Sequence, residues 1–150
     1  MLAKESMMAN TATRWHTVLN SNNKLITKVE VQNVLAQGEI FVEVANLELY
    51  QQSFVHKSYL EVNMEQESAP APGTLPLQKT CNERLEWLGD SQVQATVSSY
   101  LWDRYPGQDE GFLTKLRSKL VKTKNLAYLA TKLGMVNHLI ISHHVEFGCH

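Results

Sequence analysis

The chain has 150 residues, of which 43% are hydrophobic and 19% charged, and its formal net charge is −1. This length and composition predict one folded domain and exclude a long disordered chain, and the charge excludes nucleic-acid binding through a general excess of Lys and Arg. Two cysteines are too few for a disulfide scaffold, and no apolar run is long enough to span a bilayer. We therefore expect an intracellular, soluble and by default cytoplasmic protein without a membrane partner.

The amino-terminal part predicts a tail and two short helices. Residues 1–23 lack the arginine density of a transit peptide and are interpreted as a loose tail. Over residues 24–36 apolar side chains recur at near-helical spacing, and Gly38 stands where a helix would end. Asn46 offers an N-cap for a second helix that ends near Ser58.

A proline-rich segment follows at residues 61–80. Pro70, Pro72, Gly73 and Pro76 interrupt any periodicity there. A connection of this length without regular structure is generally either functional or disordered, and we interpret it as a mobile surface loop.

Residues 81–102 predict the central helix of the fold. Glu83, Glu86 and Asp90 are spaced so that their carboxylates lie within roughly a 60° arc of one helix face. Farther along, the same stripe carries the apolar residues Val93, Val97 and Leu101. We therefore expect the acids to be half-buried, and with Leu85 and Leu88 on the other side the helix is predicted to lie centrally.

Clustered carboxylates in a low-dielectric setting require protons or cations to neutralise them. Ligands that are oxygen alone favour Mg²⁺, with Mn²⁺ as a substitute, over Zn²⁺. The alternative is a solvated acidic face compensated by Arg84, because such charge pairs are common on helix surfaces. Gly89 favours the first interpretation, since a mid-helix glycine costs roughly 1 kcal/mol relative to alanine and suggests that a backbone or ligand approaches closely.

A turn at Pro106 and Gly107 precedes two further predicted helices. Apolar residues share one face of residues 112–121, while the remainder is basic, with Lys115, Arg117, Lys119, Lys122 and Lys124. These charges form either a solvated basic face or a surface that contacts phosphates. Asn125 is predicted to cap the last of these helices, which ends at Gly134. Because helical spacing dominates, the predicted fold is all-α with about six helices.

The carboxyl-terminal residues include His143, His144, Cys149 and His150. Their spacing is not a recognised zinc pattern, and adjacent histidines point in different directions, so we assign no zinc site.

Three ordered blocks of sequence resemble the ribonuclease III family. Residues 82–90, NERLEWLGD, resemble its signature helix, with Trp87 where phenylalanine is usual. Residues 54–59, FVHKSY, and residues 105–121 resemble the flanking blocks. The resemblance implies one ribonuclease III-like endonuclease domain over residues 24–150, incomplete at its carboxyl terminus, with residues 61–80 as an insert. It also favours helix over the strand-like alternation of Ile40, Val42 and Val44.

The resemblance implies an endoribonuclease that hydrolyses phosphodiester bonds of double-stranded RNA with Mg²⁺. Glu86 and Asp90 match the metal-binding pair, and Glu83 and Glu110 match the supporting acids of the catalytic set. The candidates for RNA contacts are Asn82, which opens the family motif, and the basic residues Lys115, Arg117, Lys119 and Lys122 of the charge pattern described above.

The sequence also departs from the family. A second metal-ligand pair, an aspartate and a glutamate on a downstream helix, has no counterpart here, and neither does a trailing domain that binds double-stranded RNA. The sequence therefore predicts either a fragment of a longer enzyme or a reduced relative, with exposed apolar surface. The alternative function is a catalytically inactive module for dimerisation or RNA binding in a ribonucleoprotein, and a third is a helical scaffold without an RNA role.

Trp87 predicts self-association. It projects at the edge of the acidic stripe, so burial inside the monomer would also bury the acids. The family resemblance likewise implies a homodimer in which this aromatic enters a pocket of the partner. The competing interpretation is a tryptophan packed against a loop of its own domain.

Overall fold

The computed structural model describes residues 19–61 and 73–148. Within these ranges the chain forms six α-helices and two 3-10 turns, at Lys57–Tyr59 and Met135–His138. The helices are α1 (Lys28–Gln37), α2 (Leu47–Ser53), α3 (Glu83–Arg104), α4 (Glu110–Leu120), α5 (Thr123–Lys132) and α6 (His143–Gly148). Extended pairing over the described residues is limited to two isolated parallel bridges, Val55 with Ile140 and Leu60 with Gln78. The all-α prediction is confirmed.

The chain divides into two compact units. One runs up to Asn82 and includes the segment from His138 onward, and the other is Glu83–Asn137. The first unit is built on a core of Val55, Tyr59 and Ile140. Backbone hydrogen bonds hold this core in register, because Ile140 N–H donates to Phe54 O and His56 N–H donates to Ile140 O, each at 2.9 Å.

Part of the segment interpreted as an amino-terminal tail belongs to the first unit. Asn20 and Asn23 are buried, and both side-chain amides donate to the carbonyl of Ile141. Asn20 Nδ2 also donates to Glu146 Oε2 at 2.6 Å. The ordered domain thus begins before residue 24, while the prediction for residues 1–18 lies outside the described residues.

The interpretation of residues 61–80 as one mobile loop is wrong for residues 73–80. Residues 62–72 lie outside the described ranges, whereas residues 73–80 pack in the first unit. Tyr59 Oη donates to Leu75 O at 2.7 Å, and Gln78 N–H donates to Tyr59 O at 2.9 Å. These two hydrogen bonds fix the segment to a tyrosine that is fully buried.

The predicted helix near residue 30 forms, but residues 40–45 are not helical. Thr27 and Glu30 form a capping box that starts α1, and Gly38 is the C-cap. Residues 40–45 adopt neither helix nor strand, and no described segment pairs with them. Val44 is the only buried residue among them. Phe41 is 83% exposed.

In the second unit α3 lies at the surface, so the predictions of a central helix and half-buried acids are wrong. Its buried side chain is Leu101, whereas Leu88 and Val93 are exposed. The physical reason is that α4 packs against α3, while Arg117 of α4 bonds to Ser98, in the carboxyl-terminal half of α3. The apolar stripe is therefore covered only toward that end.

The caps of α5 correct one assignment and confirm another. Lys122, not Asn125, is the N-cap, and Asn125 Nδ2 instead donates to Lys119 O at 2.6 Å. Gly134 follows the C-cap with φ of +70°, a conformation that glycine adopts without steric cost, and so ends the helix as predicted.

Candidate functional site

Three carboxylates lie on one face of α3, near its amino terminus. Glu83, Glu86 and Asp90 are all exposed. Asp90 Oδ2 accepts a hydrogen bond of 2.7 Å from Gln94 Nε2, one turn farther along the helix. The amide holds this carboxylate in one orientation while its other oxygen is left for a ligand.

The donor chemistry of this face suits a hard cation, but the set is incomplete. Glu86 and Asp90 are four residues apart and provide oxygen ligands alone, which Mg²⁺ prefers. Across residues 19–61 and 73–148, no three side chains of His, Cys, Asp or Glu come together as a metal-binding group. The pair therefore fits part of a magnesium site, and further oxygen ligands must complete it.

Glu110 does not join these acids in the second unit. It begins α4 and lines a cavity together with Leu101 and Trp102 of α3. Leu101 lies eleven residues beyond Asp90, which is roughly 16 Å along a helix that rises 1.5 Å per residue. Glu86 and Asp90 do not line this cavity, so the structure gives Glu110 other neighbours than the two acids with which the sequence grouped it.

The cavity between α3 and α4 measures about 280 Å³. Leu101, Trp102 and Leu113 give it apolar walls, and Ser98, Gln108 and Thr114 add neutral polar groups. Glu110 and Arg117 contribute one charge of each sign. Sequence reasoning missed Ser98, Trp102 and Gln108, although the Pro106–Gly107 turn signals a helix hairpin that brings these positions together.

The predicted basic surface is divided between two faces of α4. Lys115 and Lys119 are exposed and share one side of α4 on a 100° helical wheel, whereas Lys122, also exposed, is the N-cap of α5. Arg117 lies on the opposite side, is half-buried, and donates from Nη1 to Ser98 Oγ at 3.0 Å. Asn82, in the first unit, donates its backbone N–H to Val55 O at 2.8 Å. The three lysines remain as the candidate phosphate-binding group.

Trp87 is 75% exposed, next to Leu88 at 50%. Among the described residues the tryptophan is therefore not packed into a loop of its own chain. Gly89 has space beside it, since a Cβ built on it meets no atom within 4 Å beyond its own helix and chain neighbours. The close approach that the glycine suggested is not made by any described part of this chain.

No described helix combines the length and apolarity required to cross a bilayer.

Comparison with known proteins identifies the family resemblance over the same segment. Residues 83–147 match the family model of the ribonuclease III domain. The probable ribonuclease 3 of Acanthamoeba polyphaga mimivirus is 34% identical over 134 residues, which cover 87% of this chain and 25% of the relative. Ribonuclease 3 of Staphylococcus haemolyticus is 34% identical over 79% of this chain and 43% of its own length. The chain thus spans between a quarter and less than half of these relatives.

The fold has a counterpart among solved structures. The nuclease domain of ribonuclease III from Campylobacter jejuni aligns with a TM-score of 0.60, over 79% of this chain and 69% of that one. At 24% sequence identity this similarity is evidence for a shared fold only. That Campylobacter nuclease domain shows structural flexibility in a region involved in dimer formation.

Proposed function

Because residues 83–147 match the family model of the ribonuclease III domain, we propose that the chain functions as an endoribonuclease that cleaves double-stranded RNA with Mg²⁺, or Mn²⁺ in its place. The observation that carries the proposal is the stripe of Glu83, Glu86 and Asp90 within the matched segment. The stripe offers hard oxygen ligands on an open helix face that a duplex can reach.

Glu86 and Asp90 are the residues that hold the cation in this proposal, and Glu83 supports them as a third acid. A divalent cation bound there would polarise the scissile phosphate and lower the pKa of a bound water. Gln94 keeps the Asp90 carboxylate in place through its 2.7 Å hydrogen bond. Lys115, Lys119 and Lys122 attract the phosphate backbone. The remaining ligands would have to be oxygens from water, the substrate phosphate and residues outside this pair.

Glu110 is not one of the residues proposed to hold the cation. It matches the family's acidic set by sequence, yet among the described residues it forms no three-ligand metal-binding group with Glu86 and Asp90. Its carboxylate is instead available to the cavity between α3 and α4.

Incubation of the purified chain with labelled duplex RNA tests the activity. We expect cleavage with Mg²⁺ that is abolished by chelation and by Glu86→Gln together with Asp90→Asn. Asp103→Asn is the matched control, because it removes an exposed acid from the same helix about three and a half turns away. Cleavage that survives the double substitution contradicts the site assignment, and cutting of single strands alone contradicts the substrate.

A second candidate function is a catalytically inactive module that binds RNA or a second copy. The absence of a three-ligand metal group among the described residues favours it. Duplex RNA that binds without being cut, at any Mg²⁺ concentration, would support this module over the nuclease. A chain that neither binds nor cuts duplex RNA would support the third interpretation, a helical scaffold without an RNA role.

Self-association through α3 is part of the proposal. Trp87 and Leu88 expose large apolar side chains next to each other on one helix, and aromatic side chains are frequent anchors of protein interfaces. The occupant proposed for this face is a second copy of the chain, so that two acidic stripes serve one duplex.

A further inference from the structure

The cavity between α3 and α4 has the features of a binding site that neither the acidic stripe nor self-association uses. Its apolar side is made by Leu101, which is 2% exposed, and by Leu113. Trp102 stands at the same cavity and is 72% exposed, so its indole presents a broad face to a ligand. At about 280 Å³ the space lies near the lower limit of ligand pockets, roughly 300 Å³, and suits a planar group the size of a nucleobase.

Arg117 brings hydrogen-bond donors to this cavity. The guanidinium has five N–H donors in a planar fork, and Nη1 donates one hydrogen bond, 3.0 Å long, to Ser98 Oγ. Within the described ranges no carboxylate oxygen lies within 4.0 Å of this guanidinium. The donors of Arg117 that Ser98 does not use can serve a ligand that offers two adjacent acceptors.

Glu110 brings acceptors to the same cavity from the other end of α4. Glu110 Oε1 already accepts from Thr114 Oγ1 at 3.0 Å, which leaves Oε2 for a ligand. Glu110 and Arg117 are seven residues apart on one helix, so their Cα atoms are separated by about 10 Å along the axis. A bicyclic base fits between two side chains at this spacing, with a different edge facing each of them.

We propose that this cavity binds an unpaired guanine base. Guanine alone among the four bases presents two adjacent acceptors, O6 and N7, that match an arginine fork, together with N1–H and N2–H donors that match a carboxylate. Trp102 stacks on the face of the base, as aromatic side chains do in single-strand recognition. Gln108 supplies an additional amide at the rim.

The charges of the cavity exclude two other kinds of occupant. A simple anion is repelled by Glu110 while it is attracted by Arg117, so the two charges favour a neutral ligand with both donors and acceptors. Adenine places a donor, N6–H₂, where the arginine fork needs an acceptor, and it lacks a donor for the carboxylate at its N1 position. Neither of the residues proposed to hold the metal, Glu86 and Asp90, lines this cavity.

Calorimetric titration of the full chain with 5′-GMP, 5′-IMP and 5′-AMP, in the presence of EDTA, tests the proposal. We expect GMP to bind at least about tenfold more tightly than AMP, because a good bidentate pair discriminates by that much or more. IMP lacks the 2-amino group, so its affinity should fall between those of GMP and AMP. The difference between GMP and IMP measures the contribution of the Glu110 carboxylate. A single-stranded uridine oligonucleotide with one guanosine, compared with one that carries adenosine, extends the test from free nucleotide to RNA.

Trp102→Leu should weaken GMP binding at least about tenfold, whereas Trp102→Phe keeps a stacking ring and should retain most of it. Tyr100→Leu is the matched control, because it removes an exposed aromatic side chain from the same helix outside the cavity. Equal affinity for GMP, IMP and AMP, or no binding of any of them, overturns the proposal, and the wild-type comparison decides this even if a variant fails to fold. Because the titration contains no metal and measures no cleavage, its failure leaves the nuclease proposal untouched, and loss of cleavage leaves the guanine site untouched.

Discussion

Arg117 Nη1 donates a 3.0 Å hydrogen bond to Ser98 Oγ and so links α4 to the carboxyl-terminal half of α3. The serine also donates its own proton to Gln94 O at 2.8 Å, within its helix. One hydroxyl thus joins an interhelical contact to the backbone of α3. This contact decides which end of α3 is covered and turns Arg117 away from the lysines of α4.

Ser98→Ala should lower the free energy of unfolding by about 1.5 kcal/mol. A hydrogen bond to a charged group is worth roughly 1.5–3 kcal/mol, and partial exposure of Arg117 places the effect at the lower end. Ser99→Ala is the control, since that exposed hydroxyl bonds only within its own helix, to Ala95 O. Urea unfolding monitored by circular dichroism measures both variants. Equal stabilities would contradict a role for the Arg117 contact.

Gly89→Ala should raise the free energy of unfolding by about 1 kcal/mol. The added methyl group meets nothing within 4 Å, and alanine is favoured over glycine in a helix by about that amount. Gly134→Ala should have the opposite sign because its φ of +70° strains any residue with a Cβ. Thermal unfolding separates the two. If Gly89→Ala stabilises the chain but abolishes RNA cleavage, a ligand or partner approaches this position, as the sequence suggested.

Trp87→Ala should weaken self-association by at least about 2 kcal/mol, the loss typical of an aromatic anchor at an interface. Sedimentation equilibrium over a range of concentrations measures it. Tyr128→Ala is the comparison, because Tyr128 is a similarly exposed aromatic residue on α5. A wild-type chain that stays monomeric at high concentration removes the model of two acidic stripes around one duplex.

The capping box of α1 predicts a pH dependence. The hydrogen bond from the Thr27 hydroxyl, 2.7 Å long, and the one from its backbone N–H lower the pKa of Glu30 from its usual 4.5. Because the folded-state pKa is below the unfolded value, this stabilisation is complete above pH 4.5 and is lost as pH falls through the folded-state pKa.

An NMR titration of the Glu30 side chain measures this directly. Thr27→Ala should return the pKa toward 4.5 and Thr27→Ser should not, since serine keeps the hydroxyl. Thr131→Ala, on α5, serves as the control for loss of a threonine elsewhere. A titration of Glu30 that is identical in wild type and Thr27→Ala would refute the assignment of the cause.

The sequence by itself determined the helices of residues 83–134 and the line of three acids. Helical periodicity, the break at Pro106 and Gly107 and the positive φ that Gly134 supplies are local properties, which the chain carries wherever it packs. The signature block at residues 82–90 also sufficed to indicate the resemblance to the ribonuclease III family, because nine contiguous positions are specific without any knowledge of contacts.

Only the tertiary structure decided what these helices cover. A hydrophobic stripe such as Val93, Val97 and Leu101 predicts that a face can be buried, but the partner helix decides how much of it is. Here α4 binds Ser98 through Arg117, so Leu101 is covered and Glu86 and Asp90 stay in solvent. The same pairing takes Glu110 to the cavity beside Trp102, since the position of a residue across a helix hairpin depends on contacts distant in sequence.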